Sequence, residues 1–371
     1  MTEHFDRIVI GGGAMGLATT WHLATRGQRV LMLERFSPGH TRGASHGATR
    51  NMNNAYSDAH YLDLYDEALG LWRELEAASG RQLLTLSGLV THGVAEAVEA
   101  AHDALVSRGA AAELIAPEEA TERYPGMRFD GAVLVTRDAG RIHAAEALRV
   151  LAALAREAGA DLRYGHRAVG IDPDREGVAV TAEGPDGVPV RYRADGAVVA
   201  VGAWSSQLLA GIVELPKLTV TEEHPAHFAP RPASRDAAWP SFNHYRPATE
   251  IGSTYGMLTP GEGVKVGFHG IGPEVDPDRR PFRGSEAARA GLRDYVAEWF
   301  PGLDPDSAAE ISCTYTSTES ARFVLDRRDL VTVAAGFSGH GFKFVPAIGR
   351  VLADATLGVS SPPGAFRIEA H

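Results

Sequence analysis

The chain has 371 residues, 44% apolar and 22% charged, which suits a soluble globular protein of about two domains with a large core. Its net charge of −11 leaves no basic stripe to offset phosphates, which argues against nucleic acid or an anionic membrane as partner. The single cysteine, Cys313, excludes an intrachain disulfide, a CxxC redox pair and a thiolate zinc cluster.

Met1 to Asp6 is polar and leads straight into a strand, so no signal peptide is expected. No run of about 18 apolar residues is present to span a membrane. With one cysteine, a reducing cytoplasm is the expected location. Arg7 to Ile10 reads as a short buried strand. Gly11-Gly12-Gly13-Ala14-Met15-Gly16 fits G-x-G-x-x-G, Leu17 to Thr25 reads as a helix ended by Gly27, and Val30 to Leu33 reads as a second strand with Glu34 at its end. Gly11 to Glu34 spans 23 residues, the reach of a βαβ unit. Gly11 makes the tight turn, Gly13 lets the backbone approach a pyrophosphate, and Gly16 lets helix and strand pack. The helix N-terminus offers free N–H groups and partial positive charge to phosphates. Glu34 suits ribose hydroxyls and disfavours a 2′-phosphate. This predicts a dinucleotide without separating FAD from NAD.

Further along, Ala55 to Ala78 carries a helix whose apolar face is Tyr61, Tyr65, Leu69, Trp72 and Leu75. Leu83 to Thr91 reads as a strand entering a different domain. Ala144 to Ala158 reads as a helix, with a strand starting at Leu162. Ala197 to Trp204 reads as a buried strand that runs into a glycine turn at Gly202. Pro225 to Phe242 is proline-rich and breaks the pattern. Tyr255 to Phe268 reads as two strands about Thr259 to Gly263, and Gly341 to Leu357 as a glycine-rich loop followed by a helix. The dinucleotide unit is therefore expected to assemble from three separated stretches, with a substrate domain between them.

A lone cysteine is most often an inert buried hydrophobe. Here Cys313 lies in Glu310-Ile311-Ser312-Cys313-Thr314-Tyr315-Thr316, and Gly336-Phe337-Ser338-Gly339-His340-Gly341-Phe342-Lys343-Phe344 follows. With Gly11 to Arg50, Val198 to Trp204 and Val264 to His269, these runs resemble the monomeric sarcosine oxidase family, which includes N-methyltryptophan oxidase, over nearly the whole chain. The resemblance implies an α/β fold: a Rossmann-like FAD-binding domain of discontinuous segments plus an inserted antiparallel-sheet substrate domain. The expected boundaries are 1–82, 142–212 and 312–371 for the first, and 83–141 and 213–311 for the second.

The resemblance also implies FAD bonded through its 8α-methyl carbon to Cys313. Gly339, Gly341 and the helix near Val345 would face the ring with partial positive charge, and Lys343 would add a full charge. Lys265, in Val264-Lys265-Val266, matches the lysine that activates oxygen; on the residues alone it could be a surface lysine. His46 and Arg50 match residues near the flavin ring, against the alternative of a solvated loop. His269 and Tyr315 match active-site positions, against the alternative of hydrogen-bonded core residues. Tyr255 matches a substrate position, and His340 matches with no assigned role.

One position departs from the family. Asn53 stands where the family carries an arginine that holds the substrate carboxylate together with the lysine matching Lys343. An asparagine cannot replace a bidentate guanidinium. Either another cation takes over, with Arg246 a candidate, or the substrate is not a simple N-methyl amino acid. Asn243 and Tyr245, in Asn243-His244-Tyr245-Arg246, also differ and lie near the expected pocket. The expected activity is FAD-dependent oxidation of a secondary or cyclic amine by oxygen, giving an imine and hydrogen peroxide, with no metal. Two alternatives stay open: a biosynthetic oxidase of a cyclic imino acid or modified amine, and a silent dinucleotide-binding subunit.

Overall fold

The first 34 residues build a parallel βαβ unit: strand Glu3–Ile10, helix Ala14–Ala24 and strand Val30–Glu34. This computed structural model describes residues 3–235, 237–247 and 252–371; Met1 and Thr2 of the polar start, and Asp236 of the proline-rich stretch, lie outside the described residues. The strand alternates as its period requires. Val9 enters the core beneath the helices, while Ile8 and Ile10 enter the core of the opposite face.

Around this unit grows an eight-stranded sheet. Strand Glu3–Ile10 pairs in parallel with Val30–Glu34 and Pro189–Val199; Asp161–Tyr164 and Val331–Ala335 extend the parallel set. Arg167–Asp174 and Gly177–Glu183 add an antiparallel ribbon, and Val324–Arg328 pairs antiparallel with Val331–Ala335. Helices Ala14–Ala24, Ala59–Ser79, Ala144–Glu157 and Val345–Leu357 supply one core, through Leu23, Trp72, Leu151 and Leu352 among others. Gly349 sits over Ala18, so the first and last of these helices approach closely.

A second eight-stranded sheet runs Ala309–Glu310, Ala226–Phe228, Gly263–Phe268, Thr254–Thr259, Ser241–Tyr245, Leu89–Gly93, Val133–Thr136 and Ala112–Ile115. It is antiparallel except where Ser241–Tyr245 pairs in parallel with Leu89–Gly93. Phe228, Phe242, Val264 and Val266 on one face bury against Leu292, Tyr295 and Val296 of helix Glu286–Trp299. Two small sheets complete the strands among the described residues: Thr49–Met52 and Leu84–Thr85 on either side of Gly140–His143, and Thr219–Glu223 with Cys313–Ser317.

Several sequence boundaries shift. The first helix begins at Ala14, not Leu17, because Gly13 is its N-cap and the glycine motif supplies the first turn. Leu83 to Thr91 is two strands in two sheets, broken at Gly88 with φ +87°. The stretch Pro225 to Phe242 contains a three-residue strand at Ala226–Phe228. Helices Ala95–Ser107 and Glu286–Trp299 and the antiparallel ribbon were not anticipated.

Gly16 carries a testable load. A Cβ there would lie 1.8 Å from the carbonyl oxygen of Gly11, a backbone atom that cannot swing aside. A Cβ at Gly13 would meet only the Oγ of Ser45, at 3.1 Å. Gly16→Ala is expected to destabilise by at least about 1–3 kcal/mol, and Gly13→Ala much less. Denaturant midpoints of the two variants measure this; equal midpoints would show that the Gly11 contact relaxes freely.

Candidate active site

A cavity of about 1420 Å³ runs between the two large sheets, from the glycine motif to Cys313, Lys265 and Lys343. Pockets for a single small molecule span about 300–1,000 Å³, so this one has room for a long ligand and a second molecule. At one end, Gly11 turns with φ +107°, and its missing Cβ leaves room for the carbonyl of Ala200 at 2.4 Å. Helix Ala14–Ala24 starts without a side-chain cap of its own, and Ser45 Oγ accepts from the N–H of Ala14 at 3.0 Å. Its first turn holds no acidic residue, so the positive end of the helix faces the cavity loop unopposed by its own turn.

Glu34 is buried, and its carboxylate accepts from the N–H groups of Gly12 at 2.7 Å and Phe36 at 2.8 Å. Glu34 lines the cavity, and a carboxylate oxygen with one backbone contact can accept a further hydrogen bond. This cradle of close backbone, helix end and acceptor fits the ribose-pyrophosphate part of a dinucleotide. Gly202, with φ +55°, lines the same end beside Trp204. Gly16 does not line the cavity. It acts one layer back, against Gly11.

At the other end, strand alternation decides which side chains enter. In Gly263–Phe268, Val264 and Val266 face the helix, so Lys265 faces the cavity, 5% exposed. Burial, with Arg50 nearby, lowers its pKa to about 7. Lys343 is also buried and is lowered to about 7 by burial. Its ammonium donates to Tyr56 Oη at 2.8 Å and to the His340 carbonyl at 2.7 Å. His340 Nδ1 lies 3.2 Å from the same Tyr56 hydroxyl, inside a cluster with Tyr61, Phe323 and Phe344. His340 therefore positions Tyr56 and Lys343.

Cys313 opens its strand with its thiol buried, 3.9 Å from the carbonyl of Ala44. The loop carrying Ala44 and His46 is tied down by Arg50, which donates to the carbonyls of Ala44 and Thr49 at 2.9 Å each and to that of His46. His46 is lowered to about 4 by burial and by Arg50 and Lys265, so it is neutral at pH 7. His269 Nδ1 lies 3.2 Å from Tyr315 Oη, and burial with Lys343 nearby lowers His269 to about 4. Gly339 is required by Tyr315: a Cβ would lie 2.2 Å from its ring. Gly341 caps the short turn Phe342–Phe344 that leads into helix Val345–Leu357. Tyr255 lines the wall, its hydroxyl raised to about 12 by burial.

Asn53 belongs to an amide array. Its Oδ1 accepts from the N–H of Ala55 at 2.8 Å, which turns its Nδ2 towards Asn243 Oδ1 at 3.4 Å. Asn51 Nδ2 reaches the same oxygen at 3.5 Å, and Asn243 Nδ2 donates to Thr91 at 3.2 Å. Asn243 and Tyr245 line the cavity, and Tyr245 donates to the Ala55 carbonyl at 2.9 Å. Alternation sends His244 to the opposite face, and Arg246 follows it, its guanidinium 5.3 Å from the Tyr295 ring centroid. Arg246 does not line the cavity, so the substitute cation suggested by sequence is not delivered there. Sequence reasoning missed Tyr56, Ser45 and Asn51. Their signal was adjacency to Asn53 and His46, with no motif of their own.

The family described as DAO, FAD dependent oxidoreductase, matches residues 6–355. The monomeric sarcosine oxidase of Bacillus sp. (strain B-0618) is 31% identical, over 96% of this chain and 93% of that protein. The N-methyl-L-tryptophan oxidase of Salmonella dublin is 29% identical, over 96% of each. Among solved structures, NikD, an unusual amino acid oxidase essential for nikkomycin biosynthesis, superposes with a TM-score of 0.86 at 28% identity, over 99% of this chain and 97% of that one.

Proposed function

The chain belongs to the FAD dependent oxidoreductase family, and on that premise we propose that it is an FAD-dependent oxidase of secondary amines, N-methylated or cyclic, releasing an imine and hydrogen peroxide. One observation carries this reading. A single cavity has a dinucleotide cradle at one end and two buried lysines, Lys265 and Lys343, at the other. Bound there, FAD would supply a two-electron sink for the C–N bond, with oxygen as the final acceptor. Gly11, Gly13, Glu34, Gly202, Gly339 and Gly341 would hold it, with His46 and Arg50 beside its reactive end and Cys313 as its covalent anchor.

The chain's own groups divide the remaining work. Lys265 holds a proton at Nζ, against the negative charge that develops on oxygen. Lys343, steadied by Tyr56 and His340, offers its third N–H to the substrate. His269 is neutral at pH 7, so it accepts a hydrogen bond from an amine without adding charge. Tyr245, Tyr255 and Tyr315 wall the chamber and exclude water. The domain boundaries 1–82, 83–141, 142–212, 213–311 and 312–371 are part of the proposal; the two large sheets divide along them, while the two small sheets pair strands across them, Thr49–Met52 and Leu84–Thr85 with Gly140–His143 and Thr219–Glu223 with Cys313–Ser317. So is a monomer working in the cytoplasm. No helix among the described residues is long and apolar enough to cross a membrane.

A screen of secondary amines for peroxide release tests the reading. A yellow protein that releases peroxide from one of them supports it. A yellow protein silent on all of them favours the non-catalytic subunit.

Asn53 narrows the substrate. A carboxylate held by two cations gains charge-assisted contacts, and losing one costs about 1.5–3 kcal/mol, roughly 10- to 150-fold in affinity. Sarcosine is therefore expected to be a poor substrate, and a larger or cyclic amine that draws on apolar contact a better one. Asn53→Arg is expected to lower KM for sarcosine about tenfold or more with kcat little changed, because a carboxylate is held alike in ground and transition states. Steady-state kinetics with sarcosine decide, and efficient oxidation by the unaltered protein would refute this.

A further inference from the structure

The loop at residues 41–47 runs past Cys313, and among the described residues no backbone–backbone hydrogen bond holds it. Two guanidinium groups take its carbonyls instead. Arg50 holds those of Ala44 and His46. At the start of the loop, Arg280 donates through one Nη to the carbonyls of Thr41 at 2.7 Å and Arg42 at 3.1 Å, and through the other to Ser312 Oγ at 2.8 Å. Ser312 immediately precedes Cys313, whose thiol meets this same loop at the Ala44 carbonyl, 3.9 Å away.

Arg280 and its counter-ion are fully buried. Glu222 Oε1 lies 3.6 Å from Arg280 Nη1, and both side chains are 0% exposed. The same oxygen accepts from Ser312 Oγ at 2.5 Å and from the N–H of Phe282 at 3.0 Å. Ser312 thus accepts from Arg280 and donates to Glu222, which fixes its hydroxyl from both sides. Phe282 covers the group: the Arg280 guanidinium carbon lies 4.0 Å from its ring centroid, and that of Arg42 lies 5.2 Å away. The Phe282 backbone has φ +59°, which a bulky residue keeps only where its surroundings impose it. A buried ion pair is a poor device for stability alone, and this one leaves Arg280 Nε and Glu222 Oε2 without hydrogen-bond partners among the described residues. An apolar pair would fill the same space, but it could not grip oxygen atoms in two distant segments.

We propose that Arg280 is a positioning residue for attachment of the flavin: it holds the Cys313 strand against the loop at residues 41–47, so that the thiol stays in one place for reaction with the cofactor's methyl carbon. The proposal rests on the reading of Cys313 as the covalent anchor. In that step an S–C bond replaces the S–H bond of Cys313 and one methyl C–H bond, and oxygen takes up the two electrons and two protons as peroxide. Arg280 does not line the cavity, and it acts through Ser312 and the loop carbonyls. It belongs to the segment 213–311, so a residue outside the cofactor-binding segments would govern the bond to the cofactor. A misplacement of about 1 Å between reacting groups can cost roughly a hundredfold in rate. The planar fork is what serves several oxygens at once, and an ammonium does not reproduce it.

The test follows attachment in time. Full-length protein made without flavin is loaded with FAD in the absence of oxygen, air is admitted, and acid-precipitated samples give the rate at which yellow colour passes into the pellet. Arg280→Met is expected to slow that rate about 10- to 100-fold. Arg280→Lys, which keeps the charge but not the fork, should recover part of it. Ser312→Ala cuts the link to Cys313 and leaves the buried ion pair in place. It should slow attachment about tenfold, and it decides the matter if Arg280→Met does not fold. FAD affinity, measured by fluorescence quenching in a Cys313→Ala background, should stay within about twofold on adding either substitution, because the glycine cradle is distant and shares no partner with Arg280. Attachment at the unaltered rate in both Arg280→Met and Ser312→Ala would overturn the proposal and leave Cys313 as the anchor. A slowdown matched by an equal loss of FAD affinity, with no recovery in Arg280→Lys, would also overturn it and mark Arg280 as structural. No attachment in the unaltered protein would defeat the anchor itself, and this proposal with it.

Discussion

Lys265→Met is expected to slow the oxygen-dependent half of turnover about a thousandfold, which corresponds to about 4 kcal/mol of lost charge stabilisation. Lys265 stands 5% exposed between two valines that face the other way, and burial holds it near pH 7. A lysine with a lowered pKa is charged below that value and loses its charge as pH rises through it. The oxygen-dependent rate of the unaltered protein should therefore fall across about pH 7, and this fall should vanish in Lys265→Met. Anaerobic reaction with the amine should suffer far less, and stopped-flow measurement of the two halves separates them. Stability runs the opposite way. Between about 7 and its ordinary value of 10.5, Lys265 binds its proton more tightly unfolded than folded, so the charge destabilises the fold as pH drops. Lys265→Met should thus raise the thermal midpoint, most at or below pH 7. A variant equally slow in both halves, or less stable, would mark Lys265 as structural.

The parts of this molecule that were legible in the sequence are those set by local rules. The βαβ unit announced itself through the spacing from Gly11 to Glu34, and the paired strands about Thr259 to Gly263 through their apolar runs. The period of a strand says that Lys265 opposes Val264 and Val266, but not whether the lysine side meets water or a chamber. That depends on the first sheet and its loops lying across the cavity. The amide array joins Asn53 to Asn243, 190 positions apart, and no local signal reports such a pairing. Tyr56 escaped notice for a similar reason, because its partners His340 and Lys343 arrive from the far end of the chain. Arg246 shows the converse. Its neighbours in sequence suggested the chamber, yet alternation from Tyr245 sends it to the other face.

Cys313→Ala is expected to turn a fully bonded flavin into a fully releasable one. The thiol lines the cavity at the start of its strand, held against the Ala44 carbonyl by a loop that Arg50 secures. Attachment would replace the S–H bond of Cys313 and one C–H bond of the cofactor's methyl group with an S–C bond, and oxygen would accept the two electrons and two protons as peroxide. Reconstitution without oxygen should therefore leave the flavin unattached, and admitting air should attach it. After acid precipitation the yellow colour should stay in the pellet of the unaltered protein and pass wholly to the supernatant in Cys313→Ala. Folded Cys313→Ala should still bind FAD, because the glycine cradle and Glu34 lie at the far end and are untouched. Mass spectrometry of the peptide containing Cys313 supplies the direct reading. Unattached flavin in the aerobically purified, unaltered protein would make Cys313 a buried thiol like most others, while leaving the cradle and both lysines in place.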